Sequence, residues 1–297
     1  MEDDLLLSII ESEVEEENEN FKISKNDRLT LEQIKHFEDK HWYFKYRIKA
    51  LNQLMTGYII KKDSKILDIG TGTGTVSKLL ENYGECTHID FDEKTIEYNK
   101  KNDLNVSYGE LPWKLNLKDN YYDYVVLFNI IEYLDNEKWA LEVMKNKLKE
   151  DGKIIISTLS DPSYYNENDK FYGIKRRYNL KTIEKILFSI GLKVEYHTFF
   201  ENTPIKKQLS DTSNRIFEEE TLYWNEISKD NDELYNYFIN KELPMLGVKP
   251  ISSGKQLFLV IRKLTKEERI EQLDKITEKE NKSRIIDSII SKIVKSK

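Results

Sequence analysis

Apolar and polar positions divide the chain into short apolar runs separated by stretches of helical periodicity. Five runs have the continuity of strands that are covered on both faces: 65–70, 86–91, 105–109, 122–129 and 153–158. Helical spacing of apolar residues separates or follows these runs at 74–83, 92–102, 136–150 and 179–191. Two further strands are predicted at 193–200 and 256–263. Seven strands that alternate with helices favour an α/β fold with a doubly wound sheet.

The same pattern predicts three parts along the chain. An acidic segment occupies 1–29, an α/β domain occupies 30–264, and a C-terminal amphipathic helix occupies 265–297. A helical pattern opens the domain at Thr30. Residues 201–255 separate the sixth and seventh strands without forming a second sheet, and we interpret them as an insertion that covers the mouth of the site.

Charge is distributed unevenly between the acidic segment and the rest of the chain. The whole sequence carries 47 basic and 53 acidic side chains, a formal net charge of −6. Nine of the acids lie in the first twenty residues, which contain no base. The remainder is therefore close to neutral and lacks the concentrated basic face of a nucleic-acid-binding protein. We expect no nucleic-acid partner.

Several classes of protein are excluded by what the sequence lacks. No apolar run reaches the roughly 18 residues of a transmembrane helix, and the acidic start differs from the basic start of a signal peptide. Cys86 is the single cysteine, so neither an internal disulfide nor a thiolate zinc site is expected. Other side chains show no metal-ligand spacing, and no metal is predicted. We expect a cytoplasmic protein.

The predicted C-terminal helix has an apolar stripe, with lysines and Arg284 on its other side. We favour packing of this stripe on its own domain or in a homodimer. The alternative is a helix that lies on a membrane surface or binds a protein partner. The stripe consists of Ile270, Leu273, Ile276, Ile286, Ile289, Ile290, Ile293 and Val294.

Glycines concentrate where the first strand ends, in KILDIGTGTGTVSKLL. Gly70, Gly72 and Gly74 suit a main chain that turns tightly and lies against a ligand. A dinucleotide site has the pattern G-x-G-x-x-G, but Thr75 stands at its third glycine position. Asp68, just before the loop, would repel a pyrophosphate and attract a cation such as an amino group or a sulfonium. These features disfavour an NAD-linked oxidoreductase.

Asp90 ends the second predicted strand, 20 residues after Gly70. A carboxylate at this position accepts hydrogen bonds from ribose hydroxyls in nucleotide cofactors. Both classes of cofactor use such an acid, so Asp90 does not choose between them. Alone it is equally compatible with an ordinary acid at the end of a strand.

The segment D-I-G-T-G-T-G, Asp90 and the segment YDYVVLFNIIEYL together closely resemble class I S-adenosylmethionine-dependent methyltransferases of the small-molecule type. The resemblance covers about 40–200 and the strand at 256–263. It implies a Rossmann-like seven-stranded sheet whose last strand runs antiparallel beside the sixth. It also implies S-adenosylmethionine as the cofactor.

The resemblance further implies the residues that bind this cofactor. The glycine loop wraps the methionine part near Asp68 and Gly70, and Asp90 holds the ribose. Phe91 flanks the adenine, and Glu110 faces the adenine amine. The full implied set is Arg47, Asp68, Gly70, Thr71, Gly72, Gly74, Asp90, Phe91, Glu110, Leu111 and Asn129.

The N-terminal segment HWYFKYR resembles the aromatic helix that precedes this domain in many small-molecule members. Arg47 either pairs with the carboxylate of the cofactor or is a solvated helix arginine. Consecutive aromatic residues cannot all face one side of a helix, and Tyr43 is our candidate for a substrate contact.

Methyl transfer is an in-line displacement, and the enzyme mainly aligns the nucleophile, the carbon and the sulfur. A base is needed only when the nucleophile is protonated. Many relatives have Glu-His after the fourth strand, whereas this chain has Glu132 and Tyr133, which puts a histidine base there in doubt. His41 and Tyr133 are the catalytic candidates, although the pKa of a tyrosine, near 10, is high for an unassisted base. We interpret His88, in a core strand, as structural.

The segment after the fifth strand, SDPSYYNENDKFYGIKRRYN, is rich in aromatic and basic residues. Loops at the carboxyl ends of parallel strands form the ligand crevice. Its arginines indicate an acidic or phosphorylated substrate, whereas an ordinary surface loop is the alternative. The substrate candidates in this segment are Tyr164, Tyr165, Tyr172, Arg176, Arg177 and Tyr178.

Together these features predict methyl transfer from S-adenosylmethionine to a small-molecule acceptor, at oxygen. Transfer to nitrogen, or to a peptide or protein, is the alternative within the same class. A non-catalytic cofactor-binding subunit, which uses its terminal helices to hold a partner, is the alternative of another class.

Overall fold

A computed structural model describes residues 30–40, 42–58, 60–112, 115–200, 238–246, 248, 250–274 and 277. The acidic N-terminal segment, His41, most of the predicted insertion and the last twenty residues lie outside the described residues.

Seven strands form one sheet in the order β3-β2-β1-β4-β5-β7-β6. Their bounds are β1 Ser64–Ile69, β2 Gly84–Asp90, β3 Val106–Tyr108, β4 Tyr122–Phe128, β5 Leu148–Leu159, β6 Leu192–Phe200 and β7 Gln256–Lys263. Strand β7 runs antiparallel to both β5 and β6, whereas the other described pairs are parallel. The predicted α/β sheet with an antiparallel last strand is confirmed.

The helices flank this sheet and precede it. Their bounds are α1 Leu31–Lys40, α2 Trp42–Tyr58, α3 Thr75–Leu80, α4 Glu93–Lys101, α5 Glu137–Lys147, α6 Glu167–Phe171 and α7 Leu180–Ser189. Side-chain caps begin several of them; for example, Asp92 for α4, Asn136 for α5 and Asn179 for α7 each accept from a backbone amide three residues later. No described helix is both long and apolar enough to span a bilayer.

Successive residues of the central strands enter two different apolar cores. Leu67, Val125 and Ile154 belong to the core on one face of the sheet. Ile66 and Val126 belong to the core on the other face, which includes residues of α2. Because side chains alternate across a strand, a strand covered on both faces must be apolar throughout. This arrangement explains the continuous apolar runs of the sequence.

The boundary between α5 and β5 differs from the prediction. Periodicity predicts a helix to Glu150 that stops at Asp151-Gly152, but the helix ends at Lys147 and β5 begins at Leu148. The pairing of β4 with β5 shifts register between Tyr122 and Tyr124. A Cβ at Gly152 would lie 2.9 Å from the carbonyl oxygen of Tyr122. The glycine therefore lets the strands approach closely at a bulge instead of stopping the helix.

A further helix begins at 266, where the C-terminal amphipathic helix is predicted. Ile270 and Leu273 are 60% and 62% exposed, whereas Gln272 is buried and donates to the carbonyl of Phe188. The described part of the apolar stripe therefore does not pack on its own domain. The rest of the stripe lies outside the described residues.

Candidate active site

The loop between β1 and α3 contains three glycines in the left-handed region of backbone space. Their φ angles are +83° at Gly70, +50° at Gly72 and +78° at Gly74. Side chains are disfavoured at these angles, so the loop needs glycine at these positions. Gly74 is also the N-cap residue of α3.

The surroundings of these glycines show which of them faces open space. A Cβ at Gly70 would lie 2.0 Å from Cδ1 of Ile130, and a Cβ at Gly74 would lie 2.2 Å from Oδ1 of Asn99. A Cβ at Gly72 would meet nothing within 4 Å. The main chain at Gly72 is therefore open to a ligand, whereas the other two glycines are packed against the protein.

Asp90 lies at the end of β2 and contacts the first half of the glycine loop. The amide of Thr71 donates to Oδ2 at 2.9 Å, and the amide of Asp92 donates to Oδ1 at 3.1 Å. Burial raises the pKa of Asp90, and the hydrogen bonds from Asp92 and Thr71 oppose this rise. The carboxylate is thus fixed at the carboxyl edge of the sheet, where ligands bind in such folds.

Two further residues hold the loop, and neither is among the sequence candidates. Asn99 of α4 is fully buried and donates from Nδ2 to the carbonyl oxygen of Gly72 at 2.7 Å. Oε2 of Glu38, on α1, accepts from the hydroxyls of Thr73 and Thr75 at 2.6 and 2.5 Å. The sequence feature that could have identified Asn99 is a polar residue at a buried position of a helix. No comparable feature of the sequence points to Glu38.

Asp68 is buried within a network that connects β1, α3 and β2. Its Oδ2 accepts from Ser77 Oγ at 2.6 Å and lies 2.8 Å from Nδ1 of His88. Among the described residues, Nε2 of His88 has no hydrogen-bond partner; it is buried and lies 3.7 Å from Oε1 of Glu81. These contacts give His88 the structural role that its place in a core strand predicts.

Asn129 follows β4 with a positive φ of 54° and is the centre of a second polar network. Its Nδ2 donates to Oε1 of Glu132 at 2.8 Å and to Oε1 of Gln256 at 3.2 Å. Its Oδ1 accepts from the guanidinium of Arg47 and from Ser157 Oγ. Arg47 therefore reaches from α2 to the end of β4, beside the glycine loop, and is not a solvated helix arginine.

Glu132 is fully buried in this network and is a further residue that the site prediction omits. Besides Asn129, the hydroxyl of Thr158 donates to it at 2.9 Å. Burial raises the pKa of Glu132, and these hydrogen bonds oppose the rise. An isolated acid inside the apolar run NIIEYL is the sequence signal that points to such a role.

The residues expected around the adenine lie at the same edge of the sheet. Phe91 is 68% exposed directly after Asp90, which leaves its ring accessible to a ligand. Glu110 accepts from the hydroxyl of Tyr108 at 3.0 Å, and Leu111 packs on the edge of the core. Open backbone at Gly72, the carboxylate of Asp90 and the exposed ring of Phe91 together fit a ligand that contains a ribose and an aromatic base.

Of the two catalytic candidates, Tyr133 and His41, only Tyr133 lies among the described residues. Tyr133 is 41% exposed in a short 3-10 helix, Ile131–Tyr133, which follows Asn129. His41 lies outside the described residues. Tyr43 belongs to α2, but its side chain is not among those described.

Three substrate candidates after β5 are used in contacts within the protein. Arg177 donates from Nε and Nη2 to both oxygens of the buried Asp169, at 2.8 and 2.9 Å. Arg176 donates to Glu137, and the buried Tyr178 donates to the carbonyl of Ile131 at 3.2 Å. These contacts support a structural role for the three residues and give no support to their predicted contact with substrate.

The remaining candidates of this segment are partly accessible. Tyr164, Tyr165 and Tyr172 are each half-buried. The hydroxyl of Tyr165 donates to the carbonyl of Ile174 at 3.0 Å, which orders the segment after the short helix Pro162–Tyr164. Aromatic surface is therefore available near the carboxyl end of β5.

The described end of the predicted insertion packs on α2. The rings of Tyr46 and Phe238 lie 4.5 Å apart, and the hydroxyl of Tyr46 donates to the buried Glu242. Gln53 donates from Nε2 to the carbonyl oxygens of Leu243 and Leu246, at 2.7 and 3.2 Å. Helix α2, which carries Arg47, is thus held between the sheet and this segment.

A cavity of about 660 Å³ lies away from this site, at the amino ends of β4, β5 and β6. Two of its charged groups are paired within the protein: Lys145 donates to the carbonyl of Ile190, and Arg269 donates to Glu150. Because the glycine loop and Asp90 lie at the opposite edge of the sheet, this cavity is separate from the candidate site. Among the described residues, no group of three or more His, Cys, Asp or Glu side chains is arranged to hold a metal ion.

Comparison with known proteins gives the same assignment as the motifs. A family model described as a methyltransferase domain matches residues 40–197. A protein of Rickettsia typhi named ubiquinone biosynthesis O-methyltransferase is 26% identical over 250 residues, which are 76% of this chain and 96% of that protein. A protein of the same name from Rickettsia bellii is 27% identical and covers 76% of this chain and 98% of its own length.

Solved structures agree on the fold. A chain from a Haloferax volcanii complex that contains the Trm112 methyltransferase activator superposes with a TM-score of 0.52 at 16% identity, over 78% of this chain and 93% of its own. A Bacillus halodurans protein described as a methyltransferase superposes with a TM-score of 0.50 at 19% identity, over 72% of this chain and 99% of its own.

Proposed function

Because the chain belongs to the class I S-adenosylmethionine-dependent methyltransferases, we propose that it methylates an oxygen atom of a small-molecule acceptor. The bound cofactor supplies a methyl group activated by a positively charged sulfur and leaves as S-adenosylhomocysteine. The residues of this chain have to hold the cofactor, align the acceptor and exclude water.

The observation that carries the proposal is the combination of open backbone at Gly72 with the fixed carboxylate of Asp90. Asp90 accepts the hydrogen bonds of the ribose hydroxyls, and the exposed ring of Phe91 lies against the adenine. Arg47 lies at the end of β4 and pairs with the carboxylate of the methionine part. Glu110 and Leu111 border the adenine.

The negative charge of Asp68 acts from beneath the loop, since its Oδ2 is occupied by Ser77 and His88. It favours the cationic methionine part of the cofactor without being exposed to solvent. Gly70, Thr71 and Gly74 shape the loop, and Asn129 holds Arg47 in place.

Oxygen as the acceptor atom is supported by the names of the Rickettsia relatives, which the chain matches over almost their whole length. A hydroxyl acceptor must lose its proton during transfer. Tyr133, exposed at the end of β4, orients that hydroxyl through a hydrogen bond, and His41 is the proposed acceptor of its proton. Tyr43, Tyr164, Tyr165 and Tyr172 supply aromatic surface for the acceptor.

We place the reaction in the cytoplasm, a proposal supported by the presence of a single cysteine in the sequence. The outward stripe at Ile270 and Leu273 supports a second role for the C-terminal helix, as a surface for a protein partner, a second copy or a membrane. Flotation with anionic liposomes distinguishes the membrane from the two protein occupants, because only the membrane role predicts that the protein rises with the vesicles.

The test of function is transfer of a labelled methyl group from S-adenosylmethionine to the small-molecule fraction of a cell extract, followed by mass spectrometry of the product. We expect label on an oxygen of a small molecule and none with Asp90→Ala. Label on nitrogen, or on a protein, would replace the oxygen proposal by the alternative acceptor. Cofactor binding without any labelled product would favour a non-catalytic subunit.

A further inference from the structure

The glycine loop is held from two directions, and only one of them consists of the sheet and the helices that alternate with its strands. Asp90 and Asn99 bind Thr71 and the carbonyl of Gly72 from β2 and α4. Glu38 binds the second half of the loop from α1, which precedes the first strand in sequence. Gly72, the residue with open space in front of it, lies between the two sets of contacts.

The carboxylate of Glu38 makes strong hydrogen bonds that position the second half of the glycine loop. One carboxylate oxygen accepts both threonine hydroxyls, at 2.6 Å from Thr73 and 2.5 Å from Thr75, and these hydroxyls lie 3.2 Å apart. Hydrogen bonds to a charged acceptor are stronger than bonds between neutral groups. Glu38 therefore fixes the side chains of Thr73 and Thr75, which lie on either side of Gly74 in sequence.

The charges of α1 also lie close enough to α4 to act on it electrostatically. Tyr98 of α4 has a pKa raised by burial and then by the negative charges of Glu32, Glu38 and Asp39 on α1. Helix α1 thus binds the loop directly and lies near α4. Because α2 follows α1 directly and carries Arg47, the same pair of helices contacts the site at a second point, through Asn129.

We propose that Glu38 is a positioning residue for the cofactor, which orders the glycine loop and holds α1 and α2 over the site. This inference rests on the proposed function. A loop that is ordered before the ligand arrives loses less conformational entropy on binding. Replacing Glu38 should therefore weaken cofactor binding, although every residue proposed to contact the cofactor is left unchanged.

The test measures the Kd of S-adenosylmethionine and of S-adenosylhomocysteine by calorimetry, together with the Tm of the unliganded protein. Glu38→Ala should weaken binding of both ligands roughly tenfold. Glu38→Gln keeps an acceptor oxygen and should bind with intermediate affinity. Asp39→Ala is the matched control, because the exposed Asp39 occupies the next position of α1 and pairs with Lys35; this variant should bind as the wild type does.

A double-mutant cycle identifies the partners of Glu38. The variant Thr73→Val with Thr75→Val should lose the same affinity as Glu38→Ala, and the triple variant should lose no more. Additive losses would overturn the inference, as would an unchanged Kd in Glu38→Ala. A lower Tm with an unchanged Kd would assign Glu38 a role in stability alone.

Failure of this inference is distinguishable from failure of the proposed function. If the wild type binds S-adenosylmethionine and Asp90→Asn does not, cofactor binding stands whatever Glu38 does. If the wild type itself binds neither ligand, both proposals fail together.

Discussion

Asp68 and His88 lie side by side on paired strands, with Oδ2 of the carboxylate 2.8 Å from Nδ1 of the imidazole. Both side chains are buried, and the second hydrogen-bond donor to the same oxygen is Ser77 of α3. The acid that the sequence associates with the cofactor is therefore also a structural connection between β1, β2 and α3.

We expect His88→Ala to lower the free energy of unfolding by about 1–3 kcal/mol, because it removes one hydrogen-bond partner from a buried carboxylate. Denaturation with urea measures the change. His197→Ala is the control, since that strand histidine is half-buried and its ring contacts Phe199 edge to face. Equal losses in the two variants would contradict a special role for the pair.

Cofactor affinity should depend on pH through Asp90, whose pKa is raised by burial above its usual 3.8. Above its pKa the carboxylate is charged and accepts the ribose hydroxyls. As the pH falls through that raised pKa, Asp90 takes up a proton and the Kd should rise. Calorimetry with S-adenosylhomocysteine over this range measures the change.

Asp90→Asn is the control for this pH dependence, because its side chain does not titrate. The variant should bind S-adenosylhomocysteine weakly, and its affinity should lack the decrease on acidification that Asp90 causes. In the unliganded protein the sign is opposite: a raised pKa means that folding favours the protonated form, so this stabilisation is lost as the pH rises through the pKa. A wild-type Kd that stays constant on acidification would contradict the role of Asp90.

Comparison of Gly72→Ala with Gly74→Ala should distinguish a glycine that contacts the ligand from one that packs against the protein. Alanine at either position has an unfavourable positive φ, which costs about 1–2 kcal/mol. At Gly72 the methyl group meets no protein atom and projects into the space assigned to the cofactor, so binding should fall more than stability. At Gly74 it approaches Asn99 and Leu104, and the Tm should fall further. Thermal unfolding and the Kd of the cofactor, measured on both variants, decide the comparison.

Arg177→Ala should destabilise the protein by about 3 kcal/mol, because Asp169 would keep a buried charge without its partner. Cofactor affinity should change little, since the pair lies in the segment after β5. Chemical denaturation and calorimetry check both expectations. Arg176→Ala is the control with a smaller expected loss, because its partner contact is more exposed. A stable Arg177→Ala protein that had lost only activity would restore the predicted substrate contact.

The strands and the glycine loop could be predicted because each depends on residues that are adjacent in sequence. A continuous apolar run indicates a strand covered on both faces, and three glycines in five positions indicate a ligand loop. The order of the last two strands came from the family resemblance and not from periodicity. The end of α5 differs from the prediction because Gly152, a residue type that often ends helices, lies at a bulge in β5.

Contacts between distant parts of the chain could not be predicted in this way. Glu38 and Thr73 are 35 residues apart, and helical periodicity does not show which residue of a polar face meets a loop. In the segment after β5, the aromatic and basic composition predicts a substrate surface. The structure instead pairs Arg177 with Asp169, an acid of the same segment. Asn129 joins Arg47 and Glu132 because β4 ends beside α2, which is a property of the tertiary structure.

The antiparallel direction of β7 has a consequence for how this protein can diversify. Phe200, the last residue of β6, pairs with Gln256, the first residue of β7, so the intervening segment leaves and rejoins the sheet at the edge where Gln256 contacts Asn129. Residues can be added or removed there without changing the register of any strand. Asp90 and Phe91, the proposed contacts of the ribose and the adenine, follow β2 near the other edge of the sheet. The length of this connection can therefore change without displacing them.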